Sequence, residues 1–539
     1  MSVPSLAERT SGLLLHMTSL PGPHGNGDLG DAARSFVDFL SAAEQSFWQM
    51  LPVGPTGYGN SPYSAQSAFA GSPLLIALEP LQRAGYLPAQ ELERAPRFAA
   101  QHVDYPEAER FRRQCLRVAF AKAGNTAQLS MFRERHAAWL EDFALFRALK
   151  SAHGEVEWTR WPAALRDREP VTLQRAAHEL ADEVAFRCFE QWLFSEQWQA
   201  LREYSHEHGV ALIGDIPIFL AHDSADVWQH RELFQLDADG LPSFVAGVPP
   251  DYFCATGQRW GNPIYRWTRV RESGYRFWID RMSSMLERFD VVRLDHFIGF
   301  QRYWEISARE ATAENGRWVE GPGAGLFEAL QRAIGRLPLI AEDLGVITDE
   351  VKALRDQFGM PGIKILQFAF GTDPSAADFL PHNYPRRAVV YTGTHDNDTT
   401  QGWFAGGTDT SMRSREQVAR EQKAALAYLG VREADAAAEI HWDMIRMCML
   451  SVANTAIFPL QDVLGLGSNA RMNLPGRATG NWEWRVDASA LDAQLAARLA
   501  DLTCRYGRQA SATSATRATR PPTDDLRDTT KAAREDEAP

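Results

Sequence analysis

Several short apolar runs in this sequence end in an acidic residue, and this repeated pattern is the strongest constraint on the fold. Residues 291–297, VVRLDHF, place Arg293 and Asp295 two positions apart, so both side chains point to one face of a strand. Similar apolar runs lead into three further acidic residues: Asp215, Glu342 and Asp396. A strand that is apolar along its length and polar at its end is typical of a parallel barrel strand that opens onto a site.

Eight short apolar runs have strand character, and helical patterns follow several of them. The runs occupy residues 12–16, 47–53, 210–216, 290–294, 338–342, 362–368, 388–392 and 455–460. Repeated strand–loop–helix units predict a parallel sheet, and eight such units predict a (β/α)8 TIM barrel of the α/β class.

Two connections between these strands are longer than one helix requires. We therefore expect a catalytic barrel over residues 1–508 with a mainly helical insertion at about 60–208, after the second strand. A second insertion at about 222–285, after the third strand, is aromatic and loop-rich, which favours substrate-binding loops. Its tryptophans are candidate stacking platforms, with core packing as the alternative for each: Trp228, Trp260, Trp267 and Trp278.

The segment 509–539 is predicted to be a disordered tail. It contains no aromatic residue, and Leu526 is its single aliphatic residue beyond alanine. Such a composition buries too little apolar surface to offset the entropy cost of ordering the backbone.

The composition is typical of a globular enzyme, and we expect a soluble, cytoplasmic protein. The formal net charge of −13 argues against nucleic acid as a partner, because phosphate binding needs a concentrated basic surface. No apolar run is long enough to cross a membrane, and the amino-terminal residues do not resemble a secretory signal. The five cysteines form no CxxC pair, and no histidine lies four positions after His16, His296 or His395, so we expect no metal and no cofactor.

Three carboxylates, Asp295, Glu342 and Asp396, end the fourth, fifth and seventh apolar runs. In a barrel these strand ends converge, and two carboxyl groups across a glycosidic bond are sufficient for retaining glycoside chemistry. Arg293 would keep Asp295 ionised as a nucleophile, whereas Glu342 would have to retain its proton as an acid. An isolated aspartate at a strand end serves more often as a helix cap or a structural ion pair, so the motifs around these residues matter.

Those motifs resemble the 4-α-glucanotransferases of the amylomaltase, or disproportionating enzyme, family, which is related to the α-amylases. The resemblance extends from about residue 12 to residue 508. It rests on residues 18–22 (TSLPG), 54–63 (GPTGYGNSPY), 214–218 (GDIPI), 247–253 (GVPPDYF), 257–263 (GQRWGNP), 293–297 (RLDHF), 341–345 (AEDLG), 394–397 (THDN) and 480–485 (GNWEWR).

The resemblance implies a role for each matching residue. Asp295 corresponds to the nucleophile, Glu342 to the general acid and base, and Asp396 to the stabiliser of the transition state. The groups that hold the donor sugar correspond to Tyr63, Asp215, Arg293 and His395. Trp260 corresponds to an aromatic residue on the acceptor side, and Tyr58 to a tyrosine at a second glucan-binding site.

The leading hypothesis is an enzyme that moves α-1,4-glucan units from a donor glucan to the 4-hydroxyl of an acceptor sugar. An α-amylase-like hydrolase would use the same three carboxylates, so these residues do not distinguish the two activities. A non-catalytic glucan-binding protein is the third alternative, and the presence of all three carboxylates argues against it. The preferred glucan length and the oligomeric state stay open.

Overall fold

A computed structural model of the chain describes residues 4–124, 126–250, 256–407, 413–477 and 479–509. The expected tail lies outside the described residues from position 510 on, as do Asp251, Tyr252 and Phe253 of the motif at 247–253. Within the described residues the chain forms twelve strands: β1 Thr10–Leu14, β2 Phe47–Gln49, β3 Ala211–Pro217, β4 Phe244–Val248, β5 Gln258–Pro263, β6 Val291–Asp295, β7 Arg302–Ser307, β8 Gly316–Glu320, β9 Leu339–Ala341, β10 Gly362–Ile365, β11 Ala388–Tyr391 and β12 Thr455–Pro459.

Eight of these strands close into a barrel in the order β1-β12-β11-β10-β9-β6-β3-β2. Every neighbouring pair in the barrel is parallel, and each of the eight predicted apolar runs overlaps one barrel strand. The predicted (β/α)8 barrel is therefore confirmed.

Alternate residues of the barrel strands fill the barrel interior. All eight strands contribute to one buried apolar cluster, which contains Leu14, Phe47, Ala211, Ile213, Val291, Ile340, Ile363, Val389, Tyr391 and Ile457. The residues between them, such as Leu212, Val292 and Leu294, belong to the larger cluster that packs against the helices. Because side chains alternate along a strand, Arg293 and Asp295 continue the inward-facing series that begins at Val291.

Helices surround the barrel, and most of the connection from β2 to β3 is helical. The described residues form twenty α-helices: α1 Asp31–Ala42, α2 Glu79–Arg83, α3 Ala89–Glu93, α4 Tyr105–Ala123, α5 Ala127–Arg135, α6 Leu140–Ala152, α7 Ala163–Arg166, α8 Pro170–Glu179, α9 Ala181–Glu207, α10 Ala225–Gln229, α11 Trp267–Glu272, α12 Arg276–Arg288, α13 Ile298–Gln301, α14 Ala324–Ile334, α15 Asp349–Gln357, α16 Thr400–Ala405, α17 Arg415–Leu429, α18 Glu433–Leu450, α19 Leu460–Val463 and α20 Ala493–Arg505. None of the helices in the described part of the chain has both the length and the apolar character needed to span a membrane.

The longest helix, α9, is held by an apolar face and by side-chain amides. Phe186, Phe189 and Leu201 are buried along it, and each such side chain stabilises the fold by about 1.5–3 kcal/mol. The helix ends before Gly209, whose φ of +74° permits the left-handed turn that stops the helix. Gln191 exchanges two hydrogen bonds with the backbone of Gly71, at 2.8 and 2.9 Å, and so attaches the loop after β2 to this helix.

A second, antiparallel sheet of four strands in the order β5-β4-β7-β8 lies beside the barrel, and the sequence patterns did not reveal it. Strands β4 and β5 come from the connection between β3 and β6, and β7 follows α13 immediately after Asp295. The sheet therefore begins at the carboxyl-terminal rim of the barrel, where the predicted site lies.

Two arginines, Arg9 and Arg508, join the two ends of the described chain to the barrel. Arg508 is fully buried and donates to six backbone carbonyl oxygens, of Thr10, Cys448, Met449, Ser451, Ala453 and Asn454. Arg9 donates to the carbonyls of Met449, Ser451 and Tyr506 at 2.6–2.9 Å. Cys448 and Met449 belong to the last turn of α18, where helix geometry leaves carbonyls short of backbone donors and where positive charge is favourable.

Arg508→Met should lower the free energy of unfolding by at least about 3 kcal/mol, because six buried hydrogen bonds are lost at about 0.5–1.5 kcal/mol each. The measurement is the midpoint of urea-induced unfolding. Arg505→Met is the matched control, because among the described residues Arg505 pairs with Asp501 in an exposed contact within α20. Equal midpoints for the two variants would contradict the role given to Arg508.

Candidate active site

The inward-facing residues at the ends of β3 and β6 form an ionic group. Arg293 Nη1 donates to Asp215 Oδ2 at 2.7 Å and to Asp295 Oδ1 at 2.9 Å. The side chain of Asp215 is completely buried, whereas that of Asp295 is 28% exposed and therefore accessible from the rim. Burial alone would lower the pKa of Arg293, but the two carboxylates raise it well above its ordinary value, so Arg293 stays charged.

Tyr63 connects this group to the end of β11. Its hydroxyl donates to Asp215 Oδ2 at 2.9 Å and lies 3.0 Å from His395 Nε2. The two rings are also stacked, with centroids 5.3 Å apart, and Trp482 packs against both rings. Burial lowers the pKa of His395, which favours a neutral imidazole beside the tyrosine hydroxyl.

Glu342 lies at the end of β9 in different surroundings. The backbone N–H of His296 donates to its Oε2 at 2.7 Å, and the N–H of Leu344 donates to its Oε1 at 3.3 Å. Burial raises the pKa of Glu342 well above its ordinary value; Arg293 opposes this rise and Asp295 adds to it. The two carboxyl groups therefore differ in the way that an acid and a nucleophile require.

Asp396 lies nearer to solvent, with 48% of its side chain exposed. Its Oδ1 accepts a hydrogen bond from Asn473 Nδ2 at 2.6 Å and lies 3.3 Å from His395 Nε2. Arg471 donates to the backbone carbonyl of Asp396 at 2.5 Å and so fixes the turn that carries it. The loop after β12 thus positions Asp396 on the same side of the site as His395.

Of the four tryptophans named as candidate platforms, three are core residues. Trp228, Trp267 and Trp278 are buried among other aromatic rings, so the expectation of stacking platforms is wrong for them. Trp260 is 38% exposed on β5, and its ring lies edge-on to the ring of His296 with centroids 4.8 Å apart. It is therefore adjacent to the residue that follows Asp295.

Tyr58 is separate from this group. It is 82% exposed on a short 3-10 turn, Tyr58–Asn60, in the loop after β2. Among the described residues no hydrogen bond or ring contact links it to Tyr63, His395 or the carboxylates. Its position fits a surface contact rather than a part of the cleft.

The structure adds three residues to the site that motif and strand-end reasoning did not single out. Trp482 has a positive φ of +66° and packs on Tyr63 and His395, and Asn473 binds Asp396. Asp343 accepts from the N–H of Ile363 at 2.8 Å and from Arg355 at 2.5 Å, which ties the strand end that carries Glu342 to β10. The motifs at 341–345 and 480–485 were signals for Asp343 and Trp482, whereas no local signal pointed to Asn473.

The part of the chain that the structure describes contains no candidate metal site. No group of three or more histidine, cysteine, aspartate or glutamate side chains is arranged there to hold a metal ion.

A barrel whose rim carries one carboxylate beside a fixed cation and another in buried surroundings defines the class of enzymes that act on glycosidic bonds. Residues 15–490 match the sequence model of the family described as 4-alpha-glucanotransferase. The chain therefore belongs to the 4-alpha-glucanotransferase family.

Two related sequences and one solved structure support this family assignment. The 4-alpha-glucanotransferase of Thermus thermophilus is 52% identical over 501 residues, which cover 91% of this chain and 97% of that protein. That of a Synechocystis strain is 48% identical over 513 residues, covering 94% of this chain and 99% of that protein. The structure of an amylomaltase from Streptococcus agalactiae in complex with acarbose is similar with a TM-score of 0.88 and 36% identity, covering 93% of this chain and 100% of that chain.

Tyr63→Phe should reduce kcat/KM about ten- to hundredfold, because a buried hydrogen bond of about 1–3 kcal/mol that orients Asp215 is lost. The measurement is the rate of maltotriose conversion together with the thermal unfolding midpoint. Tyr384→Phe is the matched control, because its buried hydroxyl donates to the carbonyl of Phe379 outside the site. Equal loss of activity in both variants would show that Tyr63 acts only through stability.

Proposed function

We propose that this chain is a retaining 4-α-glucanotransferase. It moves glucosyl or maltodextrin units of an α-1,4-glucan to the 4-hydroxyl of an acceptor sugar. The observation that carries the proposal is the contrast between Asp295, which contacts Arg293, and Glu342, which is buried and has a raised pKa.

In the first step Asp295 attacks the anomeric carbon of the donor sugar. The Arg293 contact at 2.9 Å holds Asp295 in position, and a carboxylate oxygen of Asp295 supplies the electron pair that forms the glycosyl ester. Glu342 gives its proton to the departing glycosidic oxygen, which leaves as the hydroxyl of the released glucan.

In the second step the roles of Glu342 reverse. As a carboxylate it takes the proton of the acceptor 4-hydroxyl, whose oxygen attacks the anomeric carbon and displaces Asp295. Two inversions at one carbon retain the α-configuration. Asp396, fixed by Asn473, supplies negative charge beside the cationic sugar in both transition states.

The donor sugar is held by the groups at the base of the cleft. Asp215 Oδ1 is buried and has no hydrogen-bond partner among the described residues, so it can accept from a sugar hydroxyl. Tyr63, His395 and Arg293 surround the same region and fix the orientation of the ring.

An α-amylase-like hydrolase, in which water takes the place of the acceptor sugar in the second step, is the alternative and is not favoured. The exposed indole of Trp260 beside His296 favours transfer, since an apolar plane helps a sugar ring compete with water. A non-catalytic glucan-binding protein has no need of a buried carboxyl group beside an aspartate that contacts a cation.

Maltotriose as the sole substrate separates transfer from hydrolysis. Transfer produces glucose together with oligomers longer than maltotriose, whereas hydrolysis produces only glucose and maltose. Trp260→Ala should shift the products toward glucose and maltose, because loss of the acceptor contact costs about 1–3 kcal/mol, or about ten- to two-hundredfold in discrimination.

Trp260→Phe is the control for this assay, because it keeps an aromatic plane and should keep most of the transfer. If Trp260→Ala slows transfer and hydrolysis equally, Trp260 does not bind the acceptor. A wild-type product mixture without longer oligomers would refute the transferase proposal itself.

Glu342→Gln should lose activity on maltotriose but still react with a glycosyl fluoride, because fluoride departs from the anomeric carbon without protonation. The sugar should then accumulate as an ester of Asp295, which mass spectrometry of the intact protein detects. Asp295→Asn is the matched control, because an amide cannot form this ester. Equal impairment on both donors would exclude Glu342 as the acid.

A further inference from the structure

The antiparallel sheet carries a second group of aromatic and charged side chains. The register of β7 and β8 places Trp304 opposite Trp318 and Arg302 opposite Glu320. Residues directly opposite in an antiparallel pair lie on the same face, and residues two apart along a strand share it, so all four lie together. We call these four residues the outer strip.

The outer strip faces away from the catalytic cleft. Tyr303, on the opposite face of β7, packs edge-on against Phe219 of the loop after β3, with ring centroids 5.8 Å apart. The cleft residue Trp260 lies on β5, at the other edge of the sheet. The sheet thus packs one face against the barrel and presents the outer strip on its other face.

The exposed ring of the outer strip is held in place. Trp318 is 37% exposed, and the guanidinium carbon of Arg302 lies 4.5 Å from its ring centroid. The ring of Trp304 meets it at 69° with centroids 5.4 Å apart, and Trp304 Nε1 donates to the carbonyl of Ala313 at 2.9 Å. A ring fixed on two sides loses little conformational entropy when a ligand stacks on its open surface.

We propose that the outer strip binds a segment of an α-1,4-glucan chain outside the catalytic cleft. This inference rests on the proposed function for the identity of the ligand. The indole of Trp318 offers a plane for the apolar C–H face of a glucose ring. Arg302 supplies donors and Glu320 supplies acceptors for the hydroxyls at the edge of that ring.

A glucan fits the outer strip better than a protein partner does. Among the described residues of β4, β7 and β8, Trp318 is the single large apolar side chain that is exposed. A stable protein interface covers about 800 Å² on each partner, which one indole flanked by charges does not provide.

The distance between the two sites suits a long substrate. Three strand spacings separate β5 from β8, which corresponds to about 14 Å across the sheet. One long glucan can therefore occupy the outer strip while another of its segments enters the cleft, whereas maltotriose is too short to need the strip. The outer strip should increase the affinity for long glucans and leave the conversion of maltotriose unchanged.

The test compares two properties of the full-length protein. Glycogen binding is measured by retardation in native gels that contain glycogen. Every protein in this assay carries Asp295→Asn, which blocks turnover, and the protein with this substitution alone is the parent. Saturating maltotriose fills the cleft. Maltotriose conversion is measured separately with Asp295 intact. Trp318→Ala should weaken glycogen binding about three- to tenfold, the range expected for an aromatic contact.

Conversion of maltotriose by Trp318→Ala should stay within about twofold of wild type, as for other exposed substitutions. Trp318→Phe keeps a ring and should keep most of the glycogen binding, and Glu320→Gln should weaken it less than Trp318→Ala does. Failure of the wild-type protein to form longer oligomers from maltotriose would refute the proposed function, not the outer strip.

Three results would overturn the outer strip as a glucan site. The first is glycogen binding that is equal in Trp318→Ala and its parent, or absent in the parent when maltotriose fills the cleft. The second is loss of maltotriose conversion in Trp318→Ala with unchanged unfolding, which would place Trp318 in the cleft. The third is a molar mass in solution that differs between Trp318→Ala and wild type, which would make the outer strip an interface between copies of this chain.

Discussion

The contact of one buried arginine with two carboxylates is the interaction on which the site depends. Arg293 contacts Asp215 and Asp295 directly above the apolar layers that fill the barrel. A buried charge without partners is costly, and removing Arg293 would leave the completely buried carboxyl group of Asp215 without its cation. The barrel supplies the rigidity for this group, because β3 and β6 are paired from Ile213 and Val291 to their last residues.

The two proposed catalytic carboxyl groups obtain opposite properties from neighbouring strands. Asp295 has a cation within hydrogen-bond distance, whereas Glu342 accepts only from backbone N–H groups among the described hydrogen bonds. The pairing of β9 with β10 is the shortest in the barrel, a single pair between Ala341 and Gly362. Asp343 binds the N–H of Ile363 and so takes the place of a missing ladder contact, which holds the strand end that bears Glu342.

The sequence predicted the barrel well because each strand is a buried apolar run whose last inward residue becomes polar, as in the series Val291, Arg293 and Asp295. It did not predict the antiparallel sheet, because β7 depends on long-range pairing with β4, and because polar and apolar residues stand on both faces of β7 and β8. Aromatic composition likewise does not reveal which ring is buried, so Trp260 and Trp278 look alike in sequence. Asn473 lies far from Asp396 along the chain, and only the folded loop brings them together.

Charged groups at the amino-terminal end of the barrel strands are hydrogen-bonded, although the hydroxyls of Thr10, Ser11 and Thr455 there have no partner among the described residues. At the amino-terminal end, Arg508 binds carbonyls from β1 and from the end of α18, and Asp290 accepts from Arg202 and from the N–H of Leu212. At the carboxyl-terminal end, Asp215 Oδ1 and His296 Nε2 have no partner among the described residues. Such atoms cost free energy in the folded protein, and the interactions at the other end of the barrel offset that cost. The chain thus keeps unpaired acceptors where sugar hydroxyls would bind, because its stability is secured where no substrate reaches.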